Sequence, residues 1–232
     1  MDCEKIFHLL KIPWCFGLWG LHEKIYTKSP KYFFFIKRLL NKFKDTNWKV
    51  SVIYLIDSQI NFFGDFEKIL KENFGQYRIR FTTNNKKQYE FGEYSLIVQY
   101  NLENLDDKEV QVELLFNNMN VTYKNAKVRL QRLRILFNNV EKVFSLNKKN
   151  VQYSFDIKFS NLANPFYGVL IQRLGPEHIE YFECVLNPDV LTDRRIKNND
   201  KKISVFKDSI NICDSNFDNI EEIAKKCLLL ED

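Results

Sequence analysis

Residues that permit sharp turns or close backbone approach are scarce in this chain of 232 residues: seven glycines, five prolines and three alanines (Ala126, Ala163, Ala224). The glycines are scattered. Neither GxGxxG nor GxxxxGK[ST] occurs, which argues against nucleotide hydrolysis and dinucleotide binding through those loops. Three histidines (His8, His22, His178) leave little scope for imidazole catalysis. The five cysteines (Cys3, Cys15, Cys184, Cys213, Cys227) are odd in number, widely spaced and free of any CxxC pair. That usage is expected of reduced thiols in a cytoplasmic protein and not of a disulfide framework. No apolar run approaches the roughly 20 residues of a membrane-spanning helix. The apolar stretch 1–24 is interrupted by Asp2, Glu4, His8, Lys11 and Pro13, so it is expected neither to target nor to span a membrane.

What remains is apolar, aromatic and basic. Hydrophobic residues make up 45% and aromatics 15%, with 21 phenylalanines and 24 asparagines. Such a chain can bury a sizeable core as one large or two small domains. Abundant Asn, Lys, Ile and Phe with few Ala, Gly and Pro is also the signature of AT-rich codons. The net charge of +5 is therefore less informative than its clustering.

The clearest segment is 120–144. Tyr123, Ala126, Leu130, Leu133, Phe137, Val140 and Phe144 recur three and four apart, which sets them on one side of a helix. Lys124, Lys127, Gln131, Arg134 and Lys142 form a basic stripe beside them. Before it, the pattern predicts short helical pieces over 4–23, broken at Pro13 and at 17–20, and a helix from Ser29 and Pro30 to about residue 43. A buried strand follows over 48–56, then a helix over 66–74 capped by Asp65 and stopped by Gly75. Residues 77–82 lead to a turn at 84–87, and strands over 94–100 and 109–116 pair around 102–107. After 144, residues 151–159 alternate as a half-solvated antiparallel strand. Hairpins are predicted over 166–174 with 179–186 and over 203–206 with 210–213, and a last helix is capped by Asp214 or Ser215. No internal repeat is apparent. The fold class is α+β: N-terminal helices, a mixed sheet with a long amphipathic basic helix, then an antiparallel meander with a C-terminal helix. The division expected is 1–148 and 149–232, or one continuous domain.

Four constellations could carry function. Cys3, His8, Cys15 and His22 are zinc-ligand types, but their spacing matches no compact finger, so no metal or other cofactor is expected. His178 and Cys184 could form a dyad only by hairpin geometry. Lys124, Lys127, Arg134 and Lys142, with Arg194, Arg195 and Lys197 (and Lys201 and Lys202) on a charged loop, could neutralise phosphates. Trp14, Phe16 and Trp19 are the anchor types of a protein interface.

The segments GEYSLIV (92–98) and VQVELL (110–115) are similar to the two motif strands of the restriction-endonuclease-like family. That resemblance implies a metal-dependent nuclease core with an acid on one strand and an acid-x-Lys triplet on the next. Ser95 stands at the acid position and Leu115 at the lysine, so any site would depend on Glu93, Glu109 and Glu113. The triplet Asp156-Ile157-Lys158 falls on the polar face of its strand. The expected function is a non-catalytic accessory subunit of a multi-protein assembly, of a DNA-directed, defence type. It would offer a basic surface to nucleic acid or an acidic partner, with the degenerate nuclease domain as the alternative.

Overall fold

Strand β1 (Asp45–Asp57) is the middle of everything that follows. Thirteen residues rich in β-branched and aromatic side chains make it long. Trp48, Val50, Val52, Tyr54 and Ile56 are buried on one face, as alternation demands. The computed structural model describes residues 20–26, 28, 29, 31, 32, 35, 36, 39, 45–101, 109–147, 149–160, 164, 167, 179, 181–186, 202–228 and 230. After β1 come α1 (Phe62–Phe74), β2 (Arg78–Thr82), β3 (Lys86–Glu90), β4 (Ser95–Asn101), β5 (Glu109–Thr122), α2 (Tyr123–Val143), β6 (Val151–Phe159), β7 (Glu183–Leu186), β8 (Lys202–Phe206), β9 (Ser209–Asp214) and α3 (Phe217–Cys227). Residues 20–26 are helical, where a break was expected at residue 20. Ser29 accepts a hydrogen bond from the Tyr32 amide, as a helix cap would.

The nine strands form one sheet in the order β2-β3-β4-β5-β1-β6-β9-β8-β7. Every pairing is antiparallel, so the mixed sheet expected from the sequence is corrected. The class is α+β. One cross-strand row, Tyr89–Leu96–Phe116–Val50–Phe155–Ile212–Ile203, crosses seven strands and is buried throughout. The helices lie on this face. Phe62 of α1 meets Tyr54, Phe66 meets Tyr89, Phe137 of α2 meets Phe116 and Tyr153, and Phe217 of α3 meets Tyr153.

The sheet runs unbroken past 145–150, because β6 pairs with β1 from Thr46↔Phe159 to Tyr54↔Val151. The chain order also repeats. Among the described residues, a central strand (β1), a meander returning to it (β2 to β5, after α1) and a helix (α2) are followed by a central strand (β6), a meander returning to it (β7 to β9) and a helix (α3). The two central strands pair antiparallel. A repeated arrangement is thus present where the sequence shows none.

Local chemistry explains the displaced boundaries. The first turn of α1 begins at Phe62, not residue 66, because the Asn61 side chain accepts from the Gly64 amide at 3.3 Å. Gly75, at φ +72°, ends it as expected. Strand β3, unpredicted, occupies part of the expected turn. β5 runs six residues beyond 116, and α2 starts at Tyr123 instead of 120. The cause is a bulge: Met119 opposes Trp48 and Phe116 opposes Val50, so β5 spends one residue more than β1. Asn118 takes φ +55°, a conformation asparagine tolerates. Buried positions are even-numbered from Val110 to Phe116 and odd-numbered at Met119 and Val121. In α3 the cap is Asn216, which accepts from the Asp218 amide; Asp214 accepts from the Asn216 amide one step earlier. The expected strand at 166–174 is helical at Tyr167, its remaining residues lying outside those described. β7 pairs with β8.

Candidate functional site

Helix α2 carries six cations (Lys124, Lys127, Arg129, Arg132, Arg134, Lys142) and one acid, Glu141. Its inner side, Ala126, Leu130, Leu133, Leu136, Phe137 and Val140, is buried. The charges then divide by direction. Glu141 turns inward and accepts from the Tyr153 hydroxyl. Tyr54 is buried beside them, and burial followed by the Glu141 charge pushes its hydroxyl well above the ordinary range. Arg129 pairs with Glu93 and lies 5.2 Å from the centre of the Tyr94 ring. Arg134 sits 3.4 Å from Glu221 of α3, a carboxylate only 6% exposed, which Lys225 also approaches at 2.7 Å. Arg134, expected on the free basic stripe, thus joins α2 to α3.

Lys124, Lys127, Arg132 and Lys142 remain exposed, and among the described residues none of them makes an ion pair. The first and last of them are 18 positions apart, about 27 Å along the helix. Val128 and Ile135, one heptad apart and 49% and 43% exposed, lie among them. The sequence reading missed Arg132, Val128 and Ile135. Their signal was available as the outward ridge that completes the helix once the buried stripe is fixed. The first turn of α2 holds Lys124 and no acid. A cation there opposes the helix dipole by about 0.3–1 kcal/mol, a cost that a nearby anion would offset.

The three glutamates of the nuclease alternative are not brought together. Glu113 lies on the face of β5 opposite the helices, with both oxygens engaged: Ser51 Oγ donates at 3.0 Å and Gln99 Nε2 at 2.8 Å. Glu109 is exposed four residues along the same strand, about 13 Å away. Glu93 is beyond the opposite end of β5's pairing with β4, since Ser95 opposes Asn117, and it is paired with Arg129. Asp156 and Lys158 share that face opposite the helices. Asp156 accepts from Asn211 Nδ2 at 2.5 Å, and Lys158 lies 3.9 Å from Asp208. Among the described residues no three His, Cys, Asp or Glu side chains are grouped to hold a metal ion.

Of the four zinc-type residues only His22 is described. Its Nδ1 is 2.8 Å from the Tyr32 hydroxyl, and its ring stacks on Tyr26. Cys3, His8, Cys15 and His178 lie outside the described residues, as do Trp14, Phe16, Trp19, Arg194, Arg195 and Lys197. Cys184 is half-buried on β7. Cys227 is fully buried, and burial pushes its thiol up to about 12. No described helix is long and apolar enough to cross a membrane. No protein-family model matches this chain, and a search of curated proteins finds none similar to it.

Proposed function

We propose that this chain is a non-catalytic subunit of a multi-protein assembly and that α2, an amphipathic basic helix, presents its outward face to nucleic acid. The observation that supports this is the sorting of charge on α2. The acid and two of the six cations are turned to internal partners, while Lys124, Lys127, Arg132 and Lys142 project outward. Four such cations can each neutralise a backbone phosphate. Contacts of this kind position a duplex without reading its sequence.

The test is a titration of labelled duplex DNA across salt concentrations. Four phosphate contacts predict a slope of log K against log salt of about −3.6. Changing Lys124, Lys127 and Arg132 together to Glu reduces that slope by about 2.7 and weakens binding across unrelated sequences alike. Unchanged slope and affinity would remove α2 from the contact.

A second reading, an acidic protein partner, is favoured by Val128 and Ile135. Exposed aliphatic side chains inside a basic rim suit a protein surface better than phosphates. Changing both to Ser would leave the DNA titration intact while releasing such a partner from the complex isolated with the chain.

A further inference from the structure

Strand β2 ends the sheet, and among the described residues it pairs only with β3. All five of its residues are exposed, Ile79 by 44% and Phe81 by 48%. A terminal strand of this kind carries a row of backbone N–H and C=O groups with no protein partner, an available template for another strand. A bulge between Ile79 and Phe81 sets Ile79 opposite Tyr89, on the helix-covered face, and Phe81 opposite Gln88, on the other. The edge therefore offers one apolar side chain above the sheet and one below. Arg80 is 2.8 Å from Glu90 and 66% exposed, and Arg78 makes no ion pair with a described residue.

We infer that β2 is a strand-addition site for an extended, acidic segment of a partner protein. The segment takes the outward backbone groups of β2, rests on Ile79 and Phe81, and sets a carboxylate against Arg78, while Arg80 keeps Glu90. Charge decides between occupants. Antiparallel pairing of β2 with a second copy, centred on the strand, places Arg80 against Arg80 and gathers four guanidinium groups about two Glu90 carboxylates, leaving an excess of positive charge that is destabilising. A segment with acids at alternate positions converts that excess, centred on Arg78, into attraction. Five residues extend about 17 Å, the length of an ordinary short strand.

The probe is a fluorescein-labelled heptapeptide alternating Glu with Val, titrated into the full chain and read by anisotropy. Two N-methylated versions, each blocking the amides of one peptide edge, keep side chains and charge while removing backbone donors. Saturable binding is expected, with one N-methylated version and the Arg78→Glu variant each weaker by about tenfold or more. The Lys124, Lys127 and Arg132 variant should bind the peptide unchanged, which separates this surface from α2. Parent-like binding by both N-methylated peptides would overturn strand addition. Equal binding of a Lys-for-Glu peptide, or by Arg78→Glu, would overturn the acidic partner. Should Arg78→Glu lower the thermal midpoint, Arg78→Gln serves in its place.

Discussion

Phe137 is where the two halves of the chain meet. Its ring is fully buried, with centroids 6.1 Å from Phe116 of β5, 5.3 Å from Tyr153 of β6 and 4.8 Å from Phe217 of α3. Phe116 belongs to the first meander, Tyr153 to the central strand of the second half and Phe217 to the last helix. Phe137→Ala removes the ring that all three pack on. Neighbours held by a continuous sheet on one side and by α2 on the other can collapse little into the space. The loss is then the transfer term plus most of the cavity term, about 3–5 kcal/mol. For a chain of this length each kcal/mol moves the midpoint by about 2–4 °C, so a fall of about 6–20 °C is expected by calorimetry or circular dichroism. The form of the transition matters as much as its position. Because β1 and β6 are paired along nine positions, both halves should unfold together, in the variant as in the parent. Two separated transitions, or a loss under about 1 kcal/mol, would refute the argument that Phe137 couples one continuous core.

Alkaline pH should destabilise the fold. Burial raises the thiol of Cys227 to about 12 from an ordinary 9.0, and chiefly burial raises Tyr54, Tyr89 and Tyr153 above 10.0. Groups raised on folding contribute fully below their unfolded values and lose that contribution as pH climbs through the folded ones, so the midpoint falls above about pH 9. A midpoint flat from pH 8 to 11 would contradict this, as would labelling of Cys227 by a thiol reagent at pH 8 without unfolding. With Mg²⁺ or Mn²⁺ the purified chain should leave supercoiled plasmid intact, since both Glu113 oxygens are engaged by Ser51 and Gln99 and no group of metal-ligand types gathers around it among the described residues. Metal-dependent cleavage that vanishes in Glu113→Gln would overturn the non-catalytic reading.

What the sequence could and could not disclose follows from the range of the interactions involved. Periodicity finds an element whose buried face keeps one register: β6 was legible to the residue, and six of the seven apolar positions predicted for 120–144 are buried. It fails where the register changes. The extra residue in β5 moves burial from even to odd positions, and the asparagine-rich run Asn117, Asn118, Met119 and Asn120 then resembles the start of a helix. β3 was missed for a related reason. Lys87 belongs to the covered face, but its ammonium reaches Glu67 at 2.8 Å and lies 4.8 Å from the centre of the Phe63 ring. A charged residue occupies a position where alternation demands an apolar one. Neither the repeated strand–meander–helix order nor the antiparallel character of the sheet has a local signature, because both reside in which strands pair.

The same limit governs the candidate site. A helical wheel assigns Arg134 to a free basic stripe, whereas Glu221, far along the chain, takes it into the joint between α2 and α3. Reversing Arg134 costs more than reversing an exposed lysine, because a new carboxylate would face Glu221, only 6% exposed and left with Lys225 as its one counterion among the described residues. Charge reversal at Arg134 would therefore confuse lost folding with lost binding. Reversal at Lys124, Lys127 and Arg132 would not. The residues that can report on function here are those whose charge the fold itself does not use.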